Sequence, residues 1–376
     1  MKNDMIQNHP FSFLKSRNDN KFDSSVIEDW CKARTYVLEK LKDIVIGPKS
    51  TEILKVIVKI DKDHQALMLS VVRHLALFAH FSNYEECDEY GEVVSRNCST
   101  IIIVSDEDDM DEELKKEQYL NNLLVYCKYK KYGENIVPKG ISIPIDIDFR
   151  IVKSMPENDG DCMMISFEDV GNVLSTKSDA ETYCIDTLLA ERCRDVYGLG
   201  ADIDKIPYED IHDVSRFNQA LNVFQYKYLS ETPKPLINEE WNKNQTEVRN
   251  GLSNIFCSDR FRSIAAGIKK DATSADVEKS LWEDKKLAVS EHTRWLVEKL
   301  ILGFRPLNDI ERSRYETLLG DQRKAYAKNL KGKAIAPAHT NICSFKDLRR
   351  IDPDNRKYDS FLMLAIPKIL EEVNEL

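Results

Sequence analysis

A chain of 376 residues, 42% hydrophobic and 31% charged, has enough apolar mass for two or three domains with their own cores. A formal charge of −10 argues against a general nucleic-acid binder, although it leaves room for a local basic pocket. Nine cysteines are scattered with no CxxC pair and no Cys/His ligand spacing, which reads as reduced thiols in a cytosolic protein without a metal site. The most apolar helical run, 66–81, carries Arg73 and His74 and is too short to span a bilayer. The expectation is a soluble, cytoplasmic chain with no membrane or direct nucleic-acid partner.

In chain order, residues 1–49 read as a polar leader and one helix from Val26 to about Ile44, ending before Gly47 and Pro48. The β-branched run Leu54–Ile60 predicts a buried strand, after which Asp61 or Asp63 can cap an amphipathic helix from about His64 to Phe81. Thr100–Val104 is a second buried strand and Leu114–Tyr129 a helix. Ile143, Ile145, Ile147, Phe149 and Ile151 alternate with other residues, which predicts a strand with one buried face, and Met163–Phe167 is a shorter one. Strands and helices that alternate without hairpin turns favour a parallel α/β sheet.

Dinucleotide binding needs glycines between the first strand and helix, so that backbone amides can approach a pyrophosphate. The stretch Lys59–Gln65 has none, and Asp106 follows the first strand by too many residues to be the ribose-binding acid. No cofactor is therefore expected, although the helix start near Lys62 offers a place for an anion. The acidic run Asp106–Glu113 lacks the spacing of a calcium-binding loop and reads as a solvated helix entry.

A helix from about Ala180 to Tyr197 leads into the second part of the chain, where the sequence repeats itself. Arg194 and Tyr197 precede Gly198 as His292 and Trp295 precede Gly303. Ile206, Tyr208, Asp210 and Ile211, then Ser215 and Arg216, recur in order as Ile342, Phe345, Asp347 and Leu348, then Asn355 and Arg356. Such a repeat suggests two pseudo-symmetric halves that bury apolar faces against each other. Ser215 and Asn355 are suited to cap helices.

Within the later half, LAVSEHTRWLVEKLILGF (287–304) is plainly helical, with Ala288, His292, Trp295, Lys299 and Leu302 on one stripe. His292 and Trp295 face the same way, either as a stacking surface with a polar neighbour or as a core Trp beside a satisfied His. Residues 233–285 and 305–338 read as inserts, and the second ends in a basic stretch, 323–333. That stretch is either a solvated helix face or, folded back beside Trp295, a source of phosphate contacts.

The set His292-x-x-Trp295, then His339, Asn341, Ile342, Phe345, Asp347 and Leu348, then Asn355 to Asp359, resembles the ryanodine receptor repeat (RyR) domain family. Thr340 stands where that family usually has Pro, and Phe304 where it often has Trp. The resemblance is to the bacterial type, in which a TrkA-type Rossmann-like domain precedes the RyR part; 52–168, with IPIDIDFRIV, is similar in layout but lacks the glycines. The resemblance implies a pseudo-two-fold tandem, an adenine-nucleotide-binding module with the motif Trp in its pocket, and association with nucleotide-signalling and antiphage systems.

The expected fold is therefore α/β: a leader and helix (1–49), a Rossmann-like parallel sheet (50–170), and a mainly α tandem RyR domain (171–376). Its halves are about 180–232 and 286–376, with the insert 233–285 between them. The expected function is a non-enzymatic sensor of a nucleotide-like small molecule, such as a cyclic nucleotide or an ADP-ribose-type messenger in antiphage signalling. The ligand-binding candidates are Trp295, His292, Tyr197, Arg194, Arg216, Arg356 and Phe304; no catalytic residue and no metal ligand is nominated. Aromatics from each half would sandwich a base, worth about 1–3 kcal/mol per stack. A homo-oligomer, or a complex with a partner protein of a signalling operon, is the expected assembly. The alternative is an interaction or oligomerisation scaffold with no small ligand. An NAD-dependent enzyme or potassium-transport regulator is disfavoured by the missing glycines.

Overall fold

The computed structural model describes residues 24–47, 50–84, 97–105, 110–116, 118–156, 162–172, 192, 253–261, 263–264, 286–333, 336–352 and 355–374. The strands are β1 (Lys55–Lys59), β2 (Ser99–Val104), β3 (Tyr129–Lys131), β4 (Glu134–Ile136), β5 (Ile147–Val152) and β6 (Met163–Ile165). They form one sheet in the order β4-β3-β5-β2-β1-β6, parallel throughout except for β4. The expected mixed α/β class is thus present, with β1 and β2 pairing in register from Lys55↔Thr100 to Lys59↔Val104.

The residue patterns explain the layering. All six residues of β2 are buried, as a strand covered on both faces requires. In β5, Ile147, Phe149 and Ile151 are buried while Asp148, Arg150 and Val152 are only half-buried. The apolar alternation overstates this strand's length, because it starts at Ile147 and not at Ile143. Ile143 and Ile145 are nonetheless buried in irregular chain, where the Ile143 amide donates to the Tyr126 carbonyl at 2.8 Å. The reading of a sheet without hairpins also needs correction: β3 and β4 pair antiparallel around Tyr132 and Gly133. Both turn residues have positive φ, 49° and 87°, the backbone of a type I′ turn whose twist suits a hairpin.

The helices are α1 (Ser24–Leu41), α2 (Gln65–Phe78), α3 (Met110–Lys116), α4 (Gln118–Tyr126), α5 (Phe167–Gly171), α6 (Lys286–Ile301), α7 (Asp309–Thr317), α8 (Gly320–Lys331), α9 (Phe345–Ile351) and α10 (Asn355–Asn374). The expected single helix 114–129 is represented by α3 and α4, and it stops at Tyr126 because Tyr129 enters the sheet. Helix α1 is no mere leader. Its Trp30 is 1% exposed, with the His74 ring edge-on at 4.5 Å and the Arg73 guanidinium 4.6 Å from its centroid.

Helix α6 packs on α2 and α4, and its Leu296, Val297, Leu300 and Ile301 share one hydrophobic core with Val56, Ile101 and Phe149 of the sheet. Its end is a Schellman motif: Gly303, at φ 87°, donates to Leu300, and Phe304 to Lys299. Asn122 of α4 hydrogen-bonds the Leu300 and Phe304 carbonyls, so this terminus is tied directly to the sheet's helical layer. Helices α7 to α9 gather around a satellite core that includes Tyr315, Leu330, Phe345 and Leu348. Among the described residues, no helix is long and apolar enough to cross a membrane.

Candidate functional site

The charged residues of α6 are spaced three and four apart, which lines Glu291, Arg294 and Glu298 along one stripe. That stripe faces inward. Arg294 is 0% exposed; its Nε donates to both Glu291 oxygens at 3.0 and 2.9 Å, and its Nη1 to Glu298 Oε2 at 2.6 Å. Lys299 Nζ lies 2.8 Å from Glu298 Oε1 and donates to Ser253 Oγ at 3.1 Å. On the other side, Glu291 Oε2 is 3.7 Å from Arg260 Nη1, and Arg260 Nη2 donates to the His80 backbone carbonyl. The His80 ring in turn bridges the Ala76 carbonyl at 2.7 Å and Asp146 Oδ1 at 2.6 Å. A buried chain of ion pairs and hydrogen bonds therefore runs from Lys299 to Asp146 at the foot of β5.

Burial opposes charge on every member, and the partners answer it unequally. Burial depresses Arg294, but Glu291 and Glu298 outweigh it and hold the guanidinium well above its usual range. Burial raises Glu298, yet Lys299 and Arg294 bring it below the ordinary carboxylate value. At Arg260 burial wins: despite Glu291, the guanidinium falls to about 10, with Arg294 adding repulsion. Its Nε and Nη1 are buried without a hydrogen-bond partner among the described residues.

Trp295 sits half-buried on the neighbouring stripe. The His292 ring stacks on it, offset, at 5.9 Å; the His339 ring meets it edge to face at 4.8 Å; and Lys299 Nζ is 5.4 Å from its centroid. His339 is delivered by the chain after α8. The Arg305 amide donates to Pro337, the His339 amide to Arg305, and the Ala338 amide to Leu330. The Asn341 amide donates to His339 Nδ1 at 3.2 Å, so the neutral ring carries its proton on Nε2. Burial, then Lys331, Lys299 and His292, push His339 well below its usual value, which keeps it neutral. Burial and the nearby Lys299 also lower Lys331, for which no ion-paired carboxylate lies among the described residues. The Lys299 ammonium thus lies over the indole face and the His339 ring against it, with Lys331 close enough to repel both.

The structure treats the seven candidates differently. Trp295 keeps part of its surface. His292 is 2% exposed and lends its ring nitrogens to the Cys343 carbonyl and Asp359, at 2.9 and 3.3 Å. It therefore positions the helices and has no group left to contact a ligand. Phe304 is 5% exposed and packs edge to face with His339 at 5.9 Å, which makes it core. Arg356 lies in the first turn of α10, its side chain outside the described set; Arg194, Tyr197 and Arg216 lie outside the described residues altogether. Asn355 is the first residue of α10 rather than its cap, and its side chain bonds to Asp352.

The sequence reading missed Lys299, Lys331 and His339 as one group. Lys299 shares a helix stripe with Trp295, and Lys331 lies near the end of the basic stretch, so both signals were present. Most of that stretch acts elsewhere: Arg323 lies over the Tyr315 ring at 4.2 Å and Lys333 pairs with Glu311 at 3.2 Å. What the sequence did not disclose is that 336–340 folds back across the end of α6.

At the carboxyl ends of β1 and β6, where nucleotides sit in open α/β sheets, the His64 ring lies flat on Phe167 at 3.2 Å. Asp61 accepts from the His64 amide at 3.0 Å and meets its ring at 2.8 Å, so this carboxylate occupies the start of α2. The expected anion position near Lys62 is accordingly filled by the chain's own acid. The run 106–109 lies outside the described residues, and among those described no group of three His, Cys, Asp or Glu is placed to hold a metal.

No family model matches this sequence, and comparison with curated proteins and with solved structures finds no match.

Proposed function

We propose that the chain is a non-enzymatic sensor of a nucleotide-like small molecule, captured by an RyR-type helical module at the Trp295 edge. The observation that carries this reading is a half-buried indole with Lys299 over its face and the His339 ring against it, in the field of Lys331. A flat ring can lie against the indole while cations take its phosphate, and an ammonium already repelled by a neighbour gains most from an anion. Tyr197, Arg194 and Arg216 would complete the pocket from the first half of the tandem.

The sheet fits a supporting role. Its parallel strands run β6-β1-β2-β5, the 4-1-2-3 neighbour order of a Rossmann half, which supports the Rossmann-like reading. The crevice at its switch point, between β1 and β6, holds the His64 and Phe167 rings and is rimmed by Asp61, Glu168 and Asp169. Pyrophosphate would meet carboxylates there. The buried chain of contacts from Lys299 to Asp146 supports the idea that occupancy at Trp295 is felt at the sheet.

The test is a thermal-shift and calorimetric screen of mono-, di- and cyclic nucleotides and ADP-ribose, on the native chain and on Lys331→Ala. A hit that weakens about tenfold in Lys331→Ala, with the melting temperature of the free protein unchanged, supports the sensor. A second reading, a scaffold, is favoured by Ile310 in the first turn of α7 and Leu319 at the N-cap of α8, 82% and 77% exposed. A flat screen together with concentration-dependent self-association would establish that reading instead.

A further inference from the structure

A pocket of about 510 Å³ opens outside the amino ends of β2 and β5, at the opposite end of the strands from the His64 and Phe167 rings. That volume falls within the roughly 300–1,000 Å³ of small-molecule sites. The lining is apolar at Ile143, Ile145, Ile147 and Cys127, all under 9% exposed. Ile53, 41% exposed, puts another large apolar side chain on the lining.

The lining also carries polar groups. Arg150 donates from Nε and Nη2 to Asp148 Oδ2, both at 2.9 Å, which fixes the guanidinium plane and leaves Nη1 without a hydrogen bond among the described residues. Lys128 is exposed and has no carboxylate partner among those residues. Thr100, 5% exposed, adds a hydroxyl. With Arg150 and Asp148 cancelling, the lining carries one net positive charge. A polyphosphate would be under-neutralised here, and no glycine-rich loop borders the pocket. An apolar body with one carboxylate matches this lining: the body covers the isoleucines, and the carboxylate meets Lys128 and Arg150 Nη1.

We propose that this pocket is a second binding site, independent of the Trp295 edge, for a small amphipathic monocarboxylate. Octanoate is the probe, with octanol as its uncharged counterpart, read by saturation-transfer NMR and by the alkylation rate of Cys98, a half-buried thiol of the lining. Octanoate is expected to give transfer signals and to slow Cys98 alkylation at least about threefold, with octanol about tenfold weaker. Lys128→Glu, a surface change, should abolish both effects at unchanged melting temperature, and Lys331→Ala should leave them intact. Absence of octanoate binding, equal binding of octanol, or equal protection in Lys128→Glu would overturn the proposal. Loss of protection in Lys331→Ala would move the octanoate to the Trp295 edge and overturn it equally, whereas a nucleotide screen that fails leaves it standing.

Discussion

His292 on α6 reaches Asp359 on α10 through Nδ1 at 3.3 Å while its Nε2 donates to the Cys343 carbonyl at 2.9 Å. Nε2 is thus the donor to a carbonyl, and the Asp359 carboxylate faces Nδ1 as a counter-ion, which favours the imidazolium. Burial opposes that charge, but the bonds to Asp359 and Cys343 outweigh it and hold the ring at about 10. Asp359 gains less, because burial keeps its carboxyl above the ordinary value even beside His292. One contact thus locks α6 to α10 and makes the lock sensitive to pH.

The sign of that dependence follows from linkage. A histidine raised from 6.5 to about 10 contributes stability that is complete below about pH 6.5 and lost as pH rises through about 10. His339, held well below 6.5, contributes in the opposite sense: its share is present above that value and lost as pH falls. The melting temperature should peak near neutrality and decline on both sides. His292→Gln should flatten the alkaline limb; an unchanged limb between pH 7 and 10 would remove His292 as its cause.

Arg294→Met should be the most damaging single change on α6. It strips Glu291, 1% exposed, of its bidentate partner and leaves Glu298, 0% exposed, with Lys299 alone. Breaking a buried pair from one side costs about 3–5 kcal/mol. Urea unfolding of the variant should show a loss of that order, whereas a loss below about 1 kcal/mol would mean that the network is hydrated.

Trp295→Ala is a less clean test of binding than Lys331→Ala. The indole packs against the main core and touches both His292 and His339, so its removal opens space beside them. Large-to-Ala changes at buried aromatics cost about 3–5 kcal/mol, and a half-buried one should cost less, about 2 kcal/mol. Chemical denaturation of Trp295→Ala should register that loss, while Lys331→Ala should remain within about 0.5 kcal/mol of the native chain.

Gly133→Ala probes the hairpin. The position has φ 87°, and no atom lies within 4 Å of where an added Cβ would stand, so the penalty is one of backbone conformation and not of space. A loss of about 1–2 kcal/mol is expected in equilibrium unfolding. A neutral result would show that the β3–β4 edge contributes little to global stability.

Strands β1, β2, β5 and β6 and most helices are legible in the residues alone, because a β-branched run such as Lys55–Lys59 and a 3.6-residue period such as that of α6 are local properties. Gly303 likewise marks a helix end, since the Schellman turn needs a residue free to take positive φ. The hairpin at Tyr132 and Gly133 was concealed because Tyr is an unusual occupant of a left-handed position. What the residues of α6 do is a matter of tertiary contact. Periodicity places His292 and Trp295 on one stripe, but Asp359, Cys343 and His339 arrive from far along the chain and turn one ring into a lock while the other stays half-open. The same holds for Arg294, whose charge a sequence assigns to solvent until two carboxylates one turn away on either side and a covering layer make burial tolerable.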